Sequence, residues 1–100
     1  MTGTPPIDLK SVYRISKIKI YYNGRVWIAV LPAFFKDLEK THYDIYLKVD
    51  DNDFMYLGRR KIYKNSYKNL AFTLPKNLDK IWTEIQKKYD YIEAILIKET

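Results

Sequence analysis

Cysteine is absent from the 100 residues, and histidine occurs once, at His42. The lack of thiols excludes disulfides, zinc fingers, iron–sulfur clusters and thiol catalysis, and a single imidazole excludes any site that needs two. Three glycines and four prolines are too few for a low-complexity linker or a collagen-like repeat. The longest apolar run, Val26 through Phe35, is about half as long as a membrane-spanning helix. The composition therefore predicts one soluble folded domain over residues 1–100, preceded by a flexible lead over residues 1–8.

Sequence motifs for catalysis are also absent. There is no phosphate loop, nucleophile elbow or pair of carboxylates at catalytic spacing. The acidic run Asp50–Asp53 does not fit a calcium loop, because Tyr56 and Ile62 stand where such a loop needs glycine and glutamate. We expect no enzymatic activity, no cofactor and no metal. Residues 1–10 lack the basic start and apolar stretch of a secretory signal, so we expect a cytoplasmic protein.

Positive charge is in excess. Eighteen lysines and arginines against twelve acidic residues give a net charge of +6, which suits an anionic partner such as nucleic acid without requiring one. Lysine, isoleucine and tyrosine are abundant and glutamine is nearly absent, as in proteins from hot environments. This bias favours a thermophilic archaeal or viral source, although an AT-rich genome produces it too.

Hydrophobic patterning predicts a chain of mostly strands. Alternation and turn residues predict strands over 9–15, 17–21, 25–31, 44–49, 54–63, 70–74 and 91–97. Asn23-Gly24 is a hairpin turn signal. Short helices are expected over Ala33–Lys40 and, with a clearer apolar stripe, over Leu78–Tyr89, with Asn77 as its cap and Asp79 favouring its start. The fold class is therefore α+β.

Two halves of the sequence share an order of features. Leu31-Pro32 and Leu74-Pro75 each end an apolar strand and precede a predicted helix, and Tyr43-Asp44 and Tyr89-Asp90 each follow that helix. These dipeptides are common, so chance is the alternative explanation. Two copies are too few for a solenoid, and they suit a pseudo-twofold domain whose halves share one core.

This repeat resembles the SpoVT/AbrB superfamily of swapped-hairpin DNA-binding proteins, which includes the MazE-type antitoxins. The resemblance lies in Asn23-Gly24-Arg25, in the strand ending at Leu31-Pro32, and in the Tyr43-Asp44 segment that follows; Tyr replaces the family's usual glycine before Asp. It implies two tandem swapped-hairpin units, over about 17–57 and 59–98, that form one small pseudo-twofold barrel with short helices. The second unit lacks a final strand, which residues 9–15 are expected to supply.

The resemblance also implies binding of double-stranded DNA and a role in transcription regulation. The basic residues expected to contact DNA come from the first strands, turns and short helices of both units, or flank them. They are Lys17, Lys19, Arg25, Lys36, Arg59, Arg60, Lys61, Lys64, Lys68 and Lys76. Any one of these lysines is more often a solvated surface residue, and the cluster from Arg59 to Lys68 stands out as a group. Because lysine dominates, mostly phosphate contacts with modest sequence discrimination are expected.

Two other functions remain open on the sequence. A protein-interaction module, such as a virus- or plasmid-encoded factor that binds a host protein, would use exposed aromatic residues such as Phe34, Phe54 and Tyr56. A binder of single-stranded nucleic acid would stack bases on tyrosines near the basic turns, at Tyr21, Tyr22, Tyr63 and Tyr67. Trp27, Trp82 and Tyr89 are expected in the core instead. A homodimer is a further expected form of association, and no membrane partner is expected.

Overall fold

Seven antiparallel strands curve into a half-barrel with one short α-helix, across residues 10–35 and 38–99, which the computed structural model describes. The strands run in the order β4-β3-β7-β1-β2-β6-β5. The two strands at the ends of this order, β4 and β5, follow one another in the chain with only Ile62 between them. The elements are β1 (Lys10–Tyr22), β2 (Trp27–Val30), β3 (His42–Lys48), β4 (Phe54–Lys61), β5 (Tyr63–Lys64), β6 (Leu70–Thr73), α1 (Asp79–Lys88) and β7 (Ile92–Glu99).

Strand β1 is one long strand where the sequence predicts two. Its first part, from Lys10 to Ile18, pairs with β7, and its second part, from Lys19 to Tyr22, pairs with β2. A bulge lies just before the change of partner, where Ser16 and Lys17 stand opposite a single residue of β7 and Lys17 has φ 63°. The bend lets β1 belong to both halves of the curved sheet.

Strand β4 has a bulge of the same kind. Leu57 and Gly58 stand opposite the single residue Ile45 of β3, and Gly58 has φ 85°. Glycine adopts this left-handed backbone at little steric cost, whereas a lysine in the same region costs about 1–2 kcal/mol. Lys17 and Gly58 therefore occupy similar bends with unequal strain.

This difference predicts opposite effects on stability. Lys17→Gly should raise the free energy of unfolding by about 0.5–1 kcal/mol, because it relieves the left-handed strain. Gly58→Ala should lower it by about 1–2 kcal/mol; a Cβ there meets nothing within 4 Å, so the cost is one of backbone conformation. Urea denaturation followed by circular dichroism measures both. A destabilised Lys17→Gly variant would contradict the argument.

The pairing of β2 with β6 lies near one end of the strand order, with only β5 beyond it. Ala29 stands opposite Phe72, and these residues are 43 apart in the chain, as Leu31 is from Leu74. Beyond the strand ends, the Leu31 N–H donates to the Leu70 carbonyl and the Leu74 N–H to the Trp27 carbonyl, both at 2.9 Å. The two ends of this strand pair are thus closed by reciprocal hydrogen bonds.

The helix α1 packs against the core of the domain. It buries Trp82 and Ile85, and the Trp82 indole N–H donates to the Pro75 carbonyl at 2.8 Å. A 3-10 turn over Lys76–Leu78 precedes it, and its N-cap position is Leu78, so the prediction of Asn77 as the cap was wrong. Asp79 lies in the first turn as expected, and its carboxylate accepts a hydrogen bond from the Trp27 indole.

The helix predicted over Ala33–Lys40 does not form in the described parts of that segment, 33–35 and 38–40, which are turns and bends. Of the three apolar residues expected to line this helix, Phe34 is 74% exposed, Phe35 is half-buried and only Leu38 is buried. A segment of about eight residues has too few hydrogen bonds to offset helix nucleation without a buried face. Lys36 and the predicted lead over residues 1–8 lie outside the described residues.

The core fills the concave side of the half-barrel. The predicted core residues Trp27 and Trp82 are buried, whereas Tyr89 is half-buried at the margin of the core. Tyr43 is fully buried, and its hydroxyl donates to the Glu39 carbonyl at 2.8 Å. Burial raises the pKa of this hydroxyl, so Tyr43 stays neutral and keeps its donor. No buried side-chain nitrogen or oxygen of the described residues lacks a hydrogen-bond partner.

Candidate nucleic-acid interface

Acidic residues are confined to two stretches of the chain. Residues 9–36 contain six lysines and arginines and no acidic residue, and residues 54–78 again contain six and none. All but one of the twelve acidic residues fall in 37–53 and 79–99. The first acid-free segment includes β1 and β2, and the second includes β4, β5 and β6.

Pairing of β2 with β6 joins the two acid-free segments into one surface. One row across its outer side runs from Lys19 through Val30 and Ala71 to Tyr63, and the next runs from Tyr21 through Ile28 to Thr73. Residues directly opposite each other on neighbouring strands share a face, so these side chains point the same way. This side of the sheet therefore carries positive charge with no carboxylate among its strands.

The exposed cations of this surface come from both segments. We define the basic face as the six exposed residues Lys17, Lys19, Arg25, Lys61, Lys64 and Lys68. Lys64 lies on the edge strand β5 opposite the buried Leu70, so its side chain leaves the sheet on the other side from that of Tyr63. Lys17 and Lys19 line a shallow depression with Tyr21 and Tyr91, both largely exposed. The Lys19 ammonium lies 5.6 Å from the centre of the Tyr21 ring, which orients it along the strand surface.

Arg25 and Lys68 lie at the tips of the two hairpins, and an asparagine organises each tip. The Asn23 side-chain carbonyl accepts the backbone N–H groups of Arg25 and Val26, both at 2.9 Å. The Asn65 side-chain carbonyl accepts those of Tyr67 and Asn69, at 2.9 and 3.0 Å. The backbone of each tip is thus held by its own asparagine.

The predicted cluster from Arg59 to Lys68 is divided by the structure. Arg59 is exposed but stands opposite Asp44 of β3, on a part of the sheet where acidic residues occur. Arg60 is half-buried, and its Nε donates to the Leu57 carbonyl at 3.1 Å. Lys76 is exposed on the 3-10 turn before α1, and Lys36 is outside the described residues. Lys61, Lys64 and Lys68 are the members of the cluster that join Lys17, Lys19 and Arg25.

The tyrosines near the basic turns differ in exposure. Tyr67 is 83% exposed at the second tip, while Tyr22 packs against Trp27 with ring centres 5.3 Å apart. Tyr63 is half-buried, and burial raises the pKa of its hydroxyl. A raised pKa keeps the Tyr63 phenol neutral near physiological pH.

A different surface occupies the outer side of β4-β3-β7-β1. Val12 and Tyr56 are 62% and 53% exposed there, and Ile95 and Ile97 are half-buried between them. Tyr46 and Tyr56 pack with ring centres 4.9 Å apart. The Tyr56 hydroxyl donates to Asp44 at 2.7 Å, and this bond raises the pKa of that hydroxyl. Of the aromatic residues expected to bind a protein, Phe54 and Tyr56 lie on this side, and Phe34 lies in the turn after β2.

Two signals in the sequence were not used in predicting the site. Lys19-Ile20-Tyr21-Tyr22-Asn23 and Lys61-Ile62-Tyr63-Lys64-Asn65 share four of five residues at a spacing of 42. The distribution of acidic residues also separates the basic face from the rest of the chain. The first signal selects Lys19 and Lys61 as a matched pair, and the second separates two basic segments from the rest of the chain; a count of net charge does neither.

No family model, no curated protein and no solved structure matches the chain. Among residues 10–35 and 38–99, no three histidine or acidic side chains are grouped closely enough to hold a metal ion. In the same residues, no helix has the length and apolar character needed to cross a membrane.

Proposed function

We propose that the chain is a tandem duplication of a swapped-hairpin unit, with a pseudo-twofold axis near the Ala29–Phe72 pair. The reciprocal hydrogen bonds at the ends of β2 and β6 support it, since Leu31 corresponds to Leu74 and Trp27 to Leu70 at the 43-residue spacing. After each Leu-Pro, the proline carbonyl accepts the N–H three residues later, at Phe35 and at Leu78.

The bulges and turns support the same correspondence. The bulges at Lys17 and Gly58, 41 residues apart and so offset by one from the spacing of 42, each place two residues opposite one, on strands that occupy matching places in the pairing order. Asn23 and Asn65 lie 42 apart, and the second turn has one extra residue, which changes the spacing from 42 before the turn to 43 after it. In this scheme β7 of the second unit pairs with β1 of the first unit, and β3 of the first unit pairs with β4 of the second. Each unit therefore contributes one strand to the part of the sheet formed by the other unit.

The basic face is proposed to bind double-stranded DNA, and the protein to act as a transcription regulator of the AbrB-like type. One observation carries the proposal of DNA binding: two acid-free hairpins meet through β2 and β6 and place Lys19 with Lys61, and Arg25 with Lys68, in matching positions. Local twofold symmetry is a property of duplex DNA, and proteins that bind it commonly mirror that symmetry. A single strand has no such axis, so the arrangement favours a duplex. The proposed regulatory role rests on the resemblance of the sequence to the SpoVT/AbrB superfamily.

A protein-interaction module is the second candidate, and the partly apolar outer side of β4-β3-β7-β1 favours it. Val12, Tyr56, Ile95 and Ile97 share their rows with Arg14, Asp44 and Arg59, and such a mixture of apolar and charged side chains is common in protein interfaces. This surface is separate from the basic face. A protein that binds DNA with one face is free to bind a protein with the other.

Fluorescence anisotropy with a duplex of generic sequence tests the proposal. If all six cations of the basic face contact phosphates, the logarithm of the association constant should fall against the logarithm of salt concentration with a slope of about −5. A single strand of equal length is the control and should bind more weakly. Absence of binding at low salt, or stronger binding of the single strand, would overturn duplex recognition.

A further inference from the structure

The two hairpin tips have the same frame but different side chains. In both, an asparagine accepts two backbone N–H groups, and its own N–H donates to the carbonyl of the residue that closes the turn: Asn23 to Val26 at 3.1 Å, and Asn65 to Asn69 at 2.8 Å. Arg25 and Lys68 hold the same position in the two turns, because each directly precedes the residue that closes its turn. Both side chains are exposed, and within the described residues neither forms an ion pair with another side chain.

Arginine and lysine at this position recognise different parts of a duplex. A guanidinium offers two parallel N–H donors that match the O6 and N7 acceptors of guanine in the major groove. An ammonium is a compact charge that more often binds phosphate, which carries no sequence information. The second tip also holds the extra residue Tyr67, 83% exposed, so its outline differs from that of the first tip.

We propose that the protein reads its duplex asymmetrically: Arg25 recognises a guanine in one half-site, and Lys68 holds the phosphate backbone in the other. The inference rests on the proposed binding of DNA by the basic face. Its consequence is directional binding, since a nearly twofold protein with unequal tips distinguishes the two orientations of one site. Arg25 then determines sequence specificity. Lys68, at the matching position and with the same charge, contributes to affinity but not to specificity.

The two residues permit a matched exchange. Arg25→Lys and Lys68→Arg each preserve the charge, and the backbone bonds that hold both tips involve neither side chain. Lys68 has φ 65°, and arginine pays the same steric cost there as lysine. A change in sequence preference in these variants therefore reports on side-chain chemistry and not on the fold.

The experiment is selection of bound sequences from a library of random DNA duplexes, with the wild-type protein and both variants. The wild type should enrich a guanine on one side of the site only. Arg25→Lys should remove that preference and weaken binding to the selected duplex by about 5- to 150-fold, with the salt slope retained because the charge is unchanged. Lys68→Arg should add a guanine on the other side and make the selected site nearly palindromic.

The results separate the inference from the proposed function. A palindromic wild-type site, a guanine preference that survives Arg25→Lys, or salt-dependent duplex binding without any enriched sequence would each overturn the asymmetric reading while leaving DNA binding in place. Failure of the wild-type protein to bind duplexes at all at low salt would overturn the proposed function, and the inference with it.

Discussion

Replacing Lys19 and Lys61 together with alanine should weaken duplex binding by about 60-fold at about 0.1 M salt and make the salt slope shallower by about 2. Each lysine that neutralises a phosphate releases about 0.9 counterion, so each contact is worth about 8-fold at that salt concentration. The two residues lie at matching positions of the acid-free segments, and both are exposed. Anisotropy titrations at several salt concentrations measure the affinity and the slope.

A matched control is available on the helix. Lys80 and Lys87 are exposed on α1, outside the acid-free segments, and their double replacement removes the same net charge. We expect the slope of this variant to stay close to that of the wild type, because only long-range attraction is lost. If the helix variant loses as much slope as the Lys19/Lys61 variant, the basic face is not where DNA binds. Thermal melts followed by circular dichroism should show that both variants are folded.

Local signals predict much of this fold because strand ends and turns are set by residues near in sequence. Asn23-Gly24 turns the first hairpin, and Pro32 and Pro75 follow the strands that they were expected to end. The apolar stripe from Leu78 places the helix within one residue at its start. The helix expected over Ala33–Lys40 does not form in its described parts, where Phe34 is exposed and Phe35 is only partly buried against the core. That outcome depends on tertiary packing, which periodicity does not report.

The bulges explain why the cations were harder to place than the strands. Regular alternation along β4 from the exposed Tyr56 would point Arg60 outward and Arg59 inward. The extra residue at Gly58 reverses the faces, so Arg59 is exposed opposite Asp44 and Arg60 is half-buried. At Lys17 no glycine marks the bend, and the strand therefore looked like two. One inserted residue changes which of two adjacent arginines is exposed.

The largest expected loss of stability comes from Phe72→Ala, which should lower the free energy of unfolding by about 3–5 kcal/mol. Phe72 is fully buried, and it stands opposite Ala29 where β2 meets β6. A domain of this size has only about 5–15 kcal/mol in total, so the variant should be close to unfolding at 37 °C. Urea denaturation measures the loss, and Tyr67→Ala at the exposed second tip is the control, with a change within about 0.5 kcal/mol.

The Ala29–Phe72 pair also provides a test of the proposed duplication through the core. If a pseudo-twofold axis passes near this pair, a phenylalanine at residue 29 points into the same core from the matching position. Ala29→Phe alone should overpack the core and cost about 1–3 kcal/mol. Combined with Phe72→Ala it fills the volume left by the lost ring, so the double variant should recover at least about 2 kcal/mol relative to the sum of the single variants. Additive losses would mean that the environments of the two positions are unrelated, and that β2 and β6 resemble each other in sequence spacing alone.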